Sequence, residues 1–360
     1  MKILYLYISK KFLATFLFSL LALGVIFIIV DLFENLDKFL DRNTGILHIA
    51  EYYLYYIPAI LKLLIPIGTL LATLFTIGNL SNTNEITAMK SGSLSLYQLM
   101  IPVIILSILI SITQLWFSTM VVPRATKVKN EMAAMYLGMD ESSKYLNNIF
   151  IRENKTRNIL IKEFNSKTMQ GSGIQIQDFS SESNPRLLSK IYASMFRWDS
   201  QKKNWILMNI KKQIYEKVRI KEQLLIDQEF KFSFNNSELS DLVKPIEEMN
   251  IFELYKFLVF QKNGGKDINQ SLTDFYGIIA FPIANFIVIL FGVPFASVKR
   301  RGGIAIQIGA ALIVSFAYLI FTKIGQIVGI SVGIGPIISA WLANILFFLV
   351  GLFVIFKTPK

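Results

Sequence analysis

The sequence predicts a membrane α-helical fold, with six transmembrane helices arranged three and three and an all-β, jelly-roll-like domain inserted between the halves. Three observations predict it. The 360 residues are 53% hydrophobic and only 17% charged, above and below the soluble norm respectively. The apolar residues gather into long charge-poor runs. The middle third changes to short alternating segments.

Residues 12–30, 99–122 and 275–298 carry no charge, 52–80 carries only Lys62, and 304–356 carries only Lys323 with a Gly-Pro break at Gly335-Pro336. A bilayer core of about 30 Å needs about 20 helical residues. The expected spans are 12–31, 54–79, 99–122, 275–297, 304–326 and 336–356. Lys2, Lys10 and Lys11 precede the first run as in a signal peptide, but the run is too long and no A-x-A-like site follows. A retained first helix is expected.

Bases near span ends mark the cytoplasmic side. Lys2, Lys10, Lys11, Lys90, Lys299, Arg300, Arg301, Lys357 and Lys360 fall in the N-terminus, the 80–98 segment, the 298–303 turn and the C-terminus, against one acid, Glu85. The 31–51 loop carries Asp31, Glu34, Asp37, Asp41 and Glu51 against Lys38 and Arg42. Both termini are therefore expected in the cytoplasm, with residues 123–274 on the opposite side of the membrane, in a periplasm or its equivalent.

Residues 123–274 are enough for a domain. The segments 148–153, 158–164, 173–179, 187–198, 204–210, 212–220 and 229–234 alternate apolar and polar residues between polar turns, the mark of a half-buried antiparallel sheet and, at this spacing, of a sandwich or jelly roll. A helical pattern over 251–265 ends at Gly264-Gly265. Trp198 and Trp205 lie one hairpin apart and read as core packing. Residues 123–268 hold 24 Lys/Arg against 18 Asp/Glu. That basic surface suits an anionic partner or a solvated face; with no RNP-like run, nucleic acid is not expected.

Enzyme chemistry is not expected. With no cysteine there is no disulfide, thiolate metal site or thiol nucleophile. His48 is the one histidine, so no HExxH occurs; GxSxG and GxxxxGK[ST] are also missing. Asp31 and Asp274 lie at span edges and read as solvated ends. Any ATP has to be hydrolysed by a partner, and no cofactor or metal is expected on this chain. Lys62 and Lys323 lie within spans, where a base is either functional or snorkelling. Asn285 and Gln307 read as helix–helix hydrogen-bonding residues.

Several segments carry a family resemblance. "YYIPAILKLLIPIGTLLATLFTIGNLSNTNEITAMKSG" holds Pro58 and Pro66, a Gly-x-Leu exit and Glu-Ile-x-Ala-Met-Lys. "VVPRA" ends span 3, "IYASMFRWDSQKKNWIL" lies in the β segment, "FGVPFASVKRRGG" closes span 4, and "GPIISAWLANILFFLVGL" forms span 6. Together these resemble the LptF/LptG permease family of lipopolysaccharide export over nearly the whole chain, with "FENLDKFL" and "FGVPFA…RRGG" closer to LptG.

The resemblance implies a permease subunit that pairs with an LptF-like or LptG-like paralogue over an LptB-like ATPase dimer. The complex takes lipopolysaccharide from the outer leaflet of the inner membrane and passes it to LptC-like and LptA-like proteins. Spans 1 and 5 would line the cavity, whose rim bases would be Lys38, Lys62, Arg124, Lys127 and Lys323. Asp31 stands where relatives carry a glycolipid-contacting base, with Lys38 the substitute candidate. A receptor or scaffold with a β ectodomain is the opposing reading; lipoprotein-release transporters place their ectodomain after the first span.

The polar segment between spans 2 and 3 has two readings. Asn82 and Glu85 have Ncap–N3 spacing, as in a capping box. On a helix at about 82–92, Ile86, Met89 and Lys90 share a face suited to a partner's groove. The resemblance makes this the coupling helix and Glu85 the acid that contacts the ATPase. Gly92 stands one place earlier than is usual.

Overall fold

The computed structural model describes residues 2–138, 145–181, 185–216, 219–242, 244–297 and 303–357. Two compact units emerge, one from Met1–Gly138 and Asn269–Lys360, the other from Met139–Ile268. The expected turn bases Lys299, Arg300 and Arg301, with Lys360, lie outside the described residues, as does the Gln307 side chain.

The first unit is helical. Its elements are α1 (Lys2–Asp41), α2 (Ile46–Asn82), α3 (Glu85–Ser91), α4 (Leu96–Trp116), α5 (Val122–Tyr136), α8 (Asn269–Ala280), α9 (Ala284–Ser297), α10 (Gly303–Ser331) and α11 (Pro336–Lys357). Six helical stretches are long and apolar enough to cross a membrane. They overrun the expected spans because their polar ends stay helical. Span 3 is the extreme case. A π-helical turn, Phe117–Val121, joins α4 to α5. Val122 N–H donates to Phe117 O, and Pro123 has no N–H with which to resume the α ladder. The boundary expected at 123 thus falls inside a helix that runs on to Tyr136, and span 4 begins at Asn269 rather than 275.

The membrane core is stitched where prolines and a tight turn free backbone carbonyls. Pro66 lies inside α2 and cannot donate to Lys62 O, one turn earlier. Gln114 Nε2 of α4 donates to that oxygen at 2.8 Å. Gln114 Oε1 accepts from Asn285 Nδ2 at 2.6 Å, and the same amide group donates to Pro282 O at 2.9 Å. Ser111 Oγ also donates to Pro282 O, at 2.7 Å. Pro282 sits in a 3-10 turn, Phe281–Ile283, that breaks span 4. There Ala284 N–H donates to Phe281 O, and Ala280 O accepts from Asn344 Nδ2 of α11 at 2.8 Å. Tyr318 of α10 donates to Asn344 Oδ1. Asn285 is fully buried and serves as the helix–helix group its sequence context suggests.

The second unit holds β1 (Tyr145–Asn154), β2 (Arg157–Asn165), β3 (Gln170–Phe179), β4 (Leu187–Asp199), β5 (Asn204–Tyr215), β6 (Ile220–Leu225) and β7 (Gln228–Phe230), followed by α6 (Asn236–Asp241) and α7 (Ile251–Asn263). It is an antiparallel sheet in the order β1-β2-β3-β4-β5-β6, with β7 also on β5. The segments 204–210 and 212–220, expected as two strands, are mostly one: β5 runs through Lys211 and Lys212 to Tyr215. α7 begins at an Asn250–Glu253 capping box, and Gly265 follows its end at φ +77°. Trp205 is buried opposite Trp198, its Nε1 donating to Phe234 O.

One crease crosses four strands. Register places Lys162, Gly173, Ser194 and Asn209 side by side. On either side the inward residues are Ile161 and Phe164, Ile174 and Gly171, Ala193 and Phe196, Ile210 and Leu207. Each pair is three apart, whereas strict alternation keeps inward residues an even number apart. Positive φ at Gly173 (+65°) and Asn209 (+52°) turns the chain over there. Gly171 makes room for the Phe196 ring, which a Cβ would meet at 2.3 Å.

Two outcomes are expected. Asn285→Ala leaves Gln114 Oε1 without its donor and Pro282 O with Ser111 alone, and lowers stability by about 1–3 kcal/mol, read by thermal unfolding in nanodiscs. Gly173→Val, at positive φ and against Lys162 Cβ, loosens hydrogen-exchange protection across β2 to β4, whereas Asn209→Gly leaves it unchanged because glycine favours that conformation.

Candidate functional site

The segment between spans 2 and 3 folds as a short helix between two left-handed residues. α2 stops at Asn82; Asn84 takes φ +61° and precedes α3, and Ser93 takes φ +65° after it. Ser93 occupies the left-handed position that glycine favours at a helix end, because Gly92 comes one residue too soon. The expected Asn82–Glu85 capping box does not form: Glu85 is the first residue of α3, its cap is Asn84, and the Asn84 side chain makes no capping bond to the helix. The capping box nearby belongs to Ser95 and Gln98, at the start of α4.

Glu85 is instead bound from the side. Thr83 Oγ1 donates to Oε1 at 3.0 Å, Tyr7 OH donates to Oε2 at 3.0 Å, and Lys11 Nζ lies 3.5 Å from Oε1. Partial burial alone would raise the Glu85 carboxyl; the bonds from Thr83 and Tyr7 and the charge of Lys11 outweigh it and hold it below the ordinary value. The contacts from α1 place the N-terminus at the same end of the bundle as α3.

The shared docking face expected of Ile86, Met89 and Lys90 is differently built. Ile86 is 3% exposed and belongs to the membrane core, with Met89 packed against that core. Lys90 is half-buried; the exposed residues are Thr87, Ala88 and Ser91. An i, i+3, i+4 stripe finds an apolar face but cannot say whether that face looks into the protein or out.

Of the five rim candidates, Lys38 lies at the end of α1, and Arg124 and Lys127 on α5, all exposed. These elements meet at one corner with the start of α2, through Phe39, Tyr52, Tyr53, Ala133 and Leu137. Lys62 is half-buried within α2, and Lys323 is exposed on α10 beside Ile320, Ile324 and Ile327. The structure thus puts Lys38 on α1, Arg124 and Lys127 on α5, Lys62 on α2 and Lys323 on α10. Asp31 accepts from Tyr53 OH at 2.9 Å and Asn35 Nδ2 at 3.3 Å, and Lys38 Nζ donates to Asn35 Oδ1 at 3.0 Å. Lys129, which charge placement alone did not single out, lies 5.3 Å from the Tyr56 ring centroid. Among the described residues no cluster could hold a metal ion.

Among the described residues, six helices apolar and long enough to cross a membrane, an antiparallel β unit inserted between the third and fourth, and a short helix between the second and third define a multi-pass membrane protein. A family model described as "Lipopolysaccharide export system permease LptF/LptG" matches residues 6–357, and the chain belongs to that family. It is therefore an inner-membrane, multi-pass member of the lipopolysaccharide export permeases. The family covers LptF and LptG alike. No curated individual protein gives a significant match.

The Glu85 carboxyl carries a sign-definite pH prediction. Its folded pKa lies below the ordinary 4.5, so its stabilising contribution is complete above that value and is lost as pH falls through the folded pKa. The melting-temperature difference between the parent and Glu85→Gln is expected to be constant at pH 5–7 and to shrink below pH 4.5.

Proposed function

We propose that the chain is one of two permease subunits of an ABC-type complex that extracts lipopolysaccharide from the outer leaflet of the inner membrane. Energy comes from an LptB-like ATPase dimer, and the glycolipid passes to LptC-like and LptA-like proteins; the second permease is an LptF-like or LptG-like paralogue. The chain itself binds no nucleotide or other cofactor. Both termini and α3 face the cytoplasm, and the β unit lies in the periplasm, as the charge distribution favours.

The observation that carries this reading is α3 itself: a short helix at the N-terminal end of the bundle, seated by Ile86 and turning Thr87, Ala88 and Ser91 outward. A partner ATPase would meet that face, with the partly exposed edge of Glu85 and the half-buried Lys90 beside it. Lys38, Lys62, Arg124, Lys127 and Lys323 are the residues proposed to meet the glycolipid's acidic headgroup.

Affinity purification of the tagged chain from native membranes, with mass analysis of proteins and lipids, tests the reading. A nucleotide-binding protein, a second family member and lipopolysaccharide are expected. A chain that never brings an ATPase with it would favour the receptor or scaffold reading. Ala88→Arg is expected to reduce ATPase recovery at least tenfold while the chain stays inserted. Photo-crosslinkers at Lys38 and Arg124 are expected to capture lipopolysaccharide.

A further inference from the structure

α1 and α3 are joined by a compact polar contact 78 residues apart in sequence. Tyr7 and Lys11 are one helical turn apart on α1, and Lys11 Nζ lies 4.3 Å from the Tyr7 ring centroid. From this pair the hydroxyl reaches one oxygen of Glu85 at 3.0 Å and the ammonium lies 3.5 Å from the other. Thr83, in the link from α2, donates to the oxygen nearest Lys11 at 3.0 Å. Both carboxylate oxygens are thus engaged, by groups from two directions. Ile8 and Phe12, on the same stretch of α1, are fully buried in the core that also takes Ile86.

A seven-residue helix is too short to hold its own shape or place by backbone bonding alone. Its links to α2 and α4 turn through Asn84 and Ser93, both at positive φ. Without a lateral tie, a push on α3 would be absorbed by rotation at those two residues. The most apolar stretch of α1 is 11% buried, the lowest share among the six spans, so much of that span is open to lipid or a partner. A tie between α3 and α1 therefore joins the short helix to a span that has a large face free of its own chain.

We infer that Tyr7 and Lys11 are positioning residues that fasten α3 to α1 through Glu85, so that displacement of α3 is carried into span 1. This rests on the reading that α3 receives a partner ATPase. Neither residue contacts nucleotide or glycolipid in this scheme; each acts through Glu85.

The chain has no cysteine, so spin labels placed at Ser9→Cys and Thr87→Cys in the full chain, held in nanodiscs without the partner ATPase, report the α1–α3 distance without background from its other residues. A narrow distribution is expected for the parent, and a distribution at least twice as wide for Tyr7→Phe and for Lys11→Gln, with Lys11→Arg restoring the narrow form. In unlabelled complexes with the ATPase, Tyr7→Phe and Lys11→Gln are expected to keep ATP hydrolysis within twofold while lipopolysaccharide release falls at least fivefold; Lys11→Arg recovers most of the release. Unchanged distance distributions in both variants would overturn the fastening. A wider distribution with unchanged release, or hydrolysis and release falling in parallel, would overturn the transmission. If no ATPase accompanies the chain, the functional reading fails by itself and the distances alone decide whether the tie exists.

Discussion

A proline inside a membrane helix leaves a carbonyl that no water can satisfy, and the arrangement of this bundle follows from how those carbonyls are answered. Pro66 frees Lys62 O in span 2; Gln114 in span 3 answers it, and Asn285 in span 4 holds Gln114. The 3-10 turn at Phe281–Ile283 presents Pro282 O to Asn285 and Ser111, and Ala280 O to Asn344 in span 6, which Tyr318 in span 5 supports. Spans 2 to 6 are thereby held in register by polar groups that have no alternative partner in hydrocarbon. Apolar packing alone gives little such specificity, since lipid tails compete for the same surfaces. Span 1 contributes no residue to this chain of bonds and is held differently, by packing against α2 and by the contact of Tyr7 and Lys11 with Glu85.

That division has a functional sense. The bonded spans form a frame, and α3 is seated on it by Ile86. The lightly buried first span is joined to α3 by one carboxylate. For a permease driven by a partner, this separates what must stay fixed from what can be moved. The corner where α1, α2 and α5 meet adds exposed bases, Lys38, Arg124 and Lys127, at the opposite end of span 1.

The span count and the inserted β unit were legible because water-to-lipid transfer leaves a mark in composition that no local detail can hide. Asn285 was legible for the same reason: a buried amide in a span needs a partner. Helix ends were not. Arg124–Tyr136 is polar, and hydropathy cannot tell a polar helix from a loop. The Asn82–Glu85 capping box was misread, because the partners of Glu85, Tyr7 and Lys11, are remote in sequence and Asn84 takes the cap position. The stripe of Ile86 and Met89 was read correctly as apolar, but its direction depends on the core it meets. β5 was cut in two at Lys211, because two adjacent lysines inside a strand imitate a polar turn.

The crease through Gly173 and Asn209 ties four strands to a common frame. Deleting one residue near Gly173 would restore simple alternation in β3 but slip its later half by one place, setting Gln175 instead of Ile174 beside inward Ile161 and Ala193. Such changes are tolerated only if neighbouring strands change together. The β unit can therefore vary freely in its hairpins but inherits strand lengths as a set, much as a coding sequence inherits its reading frame.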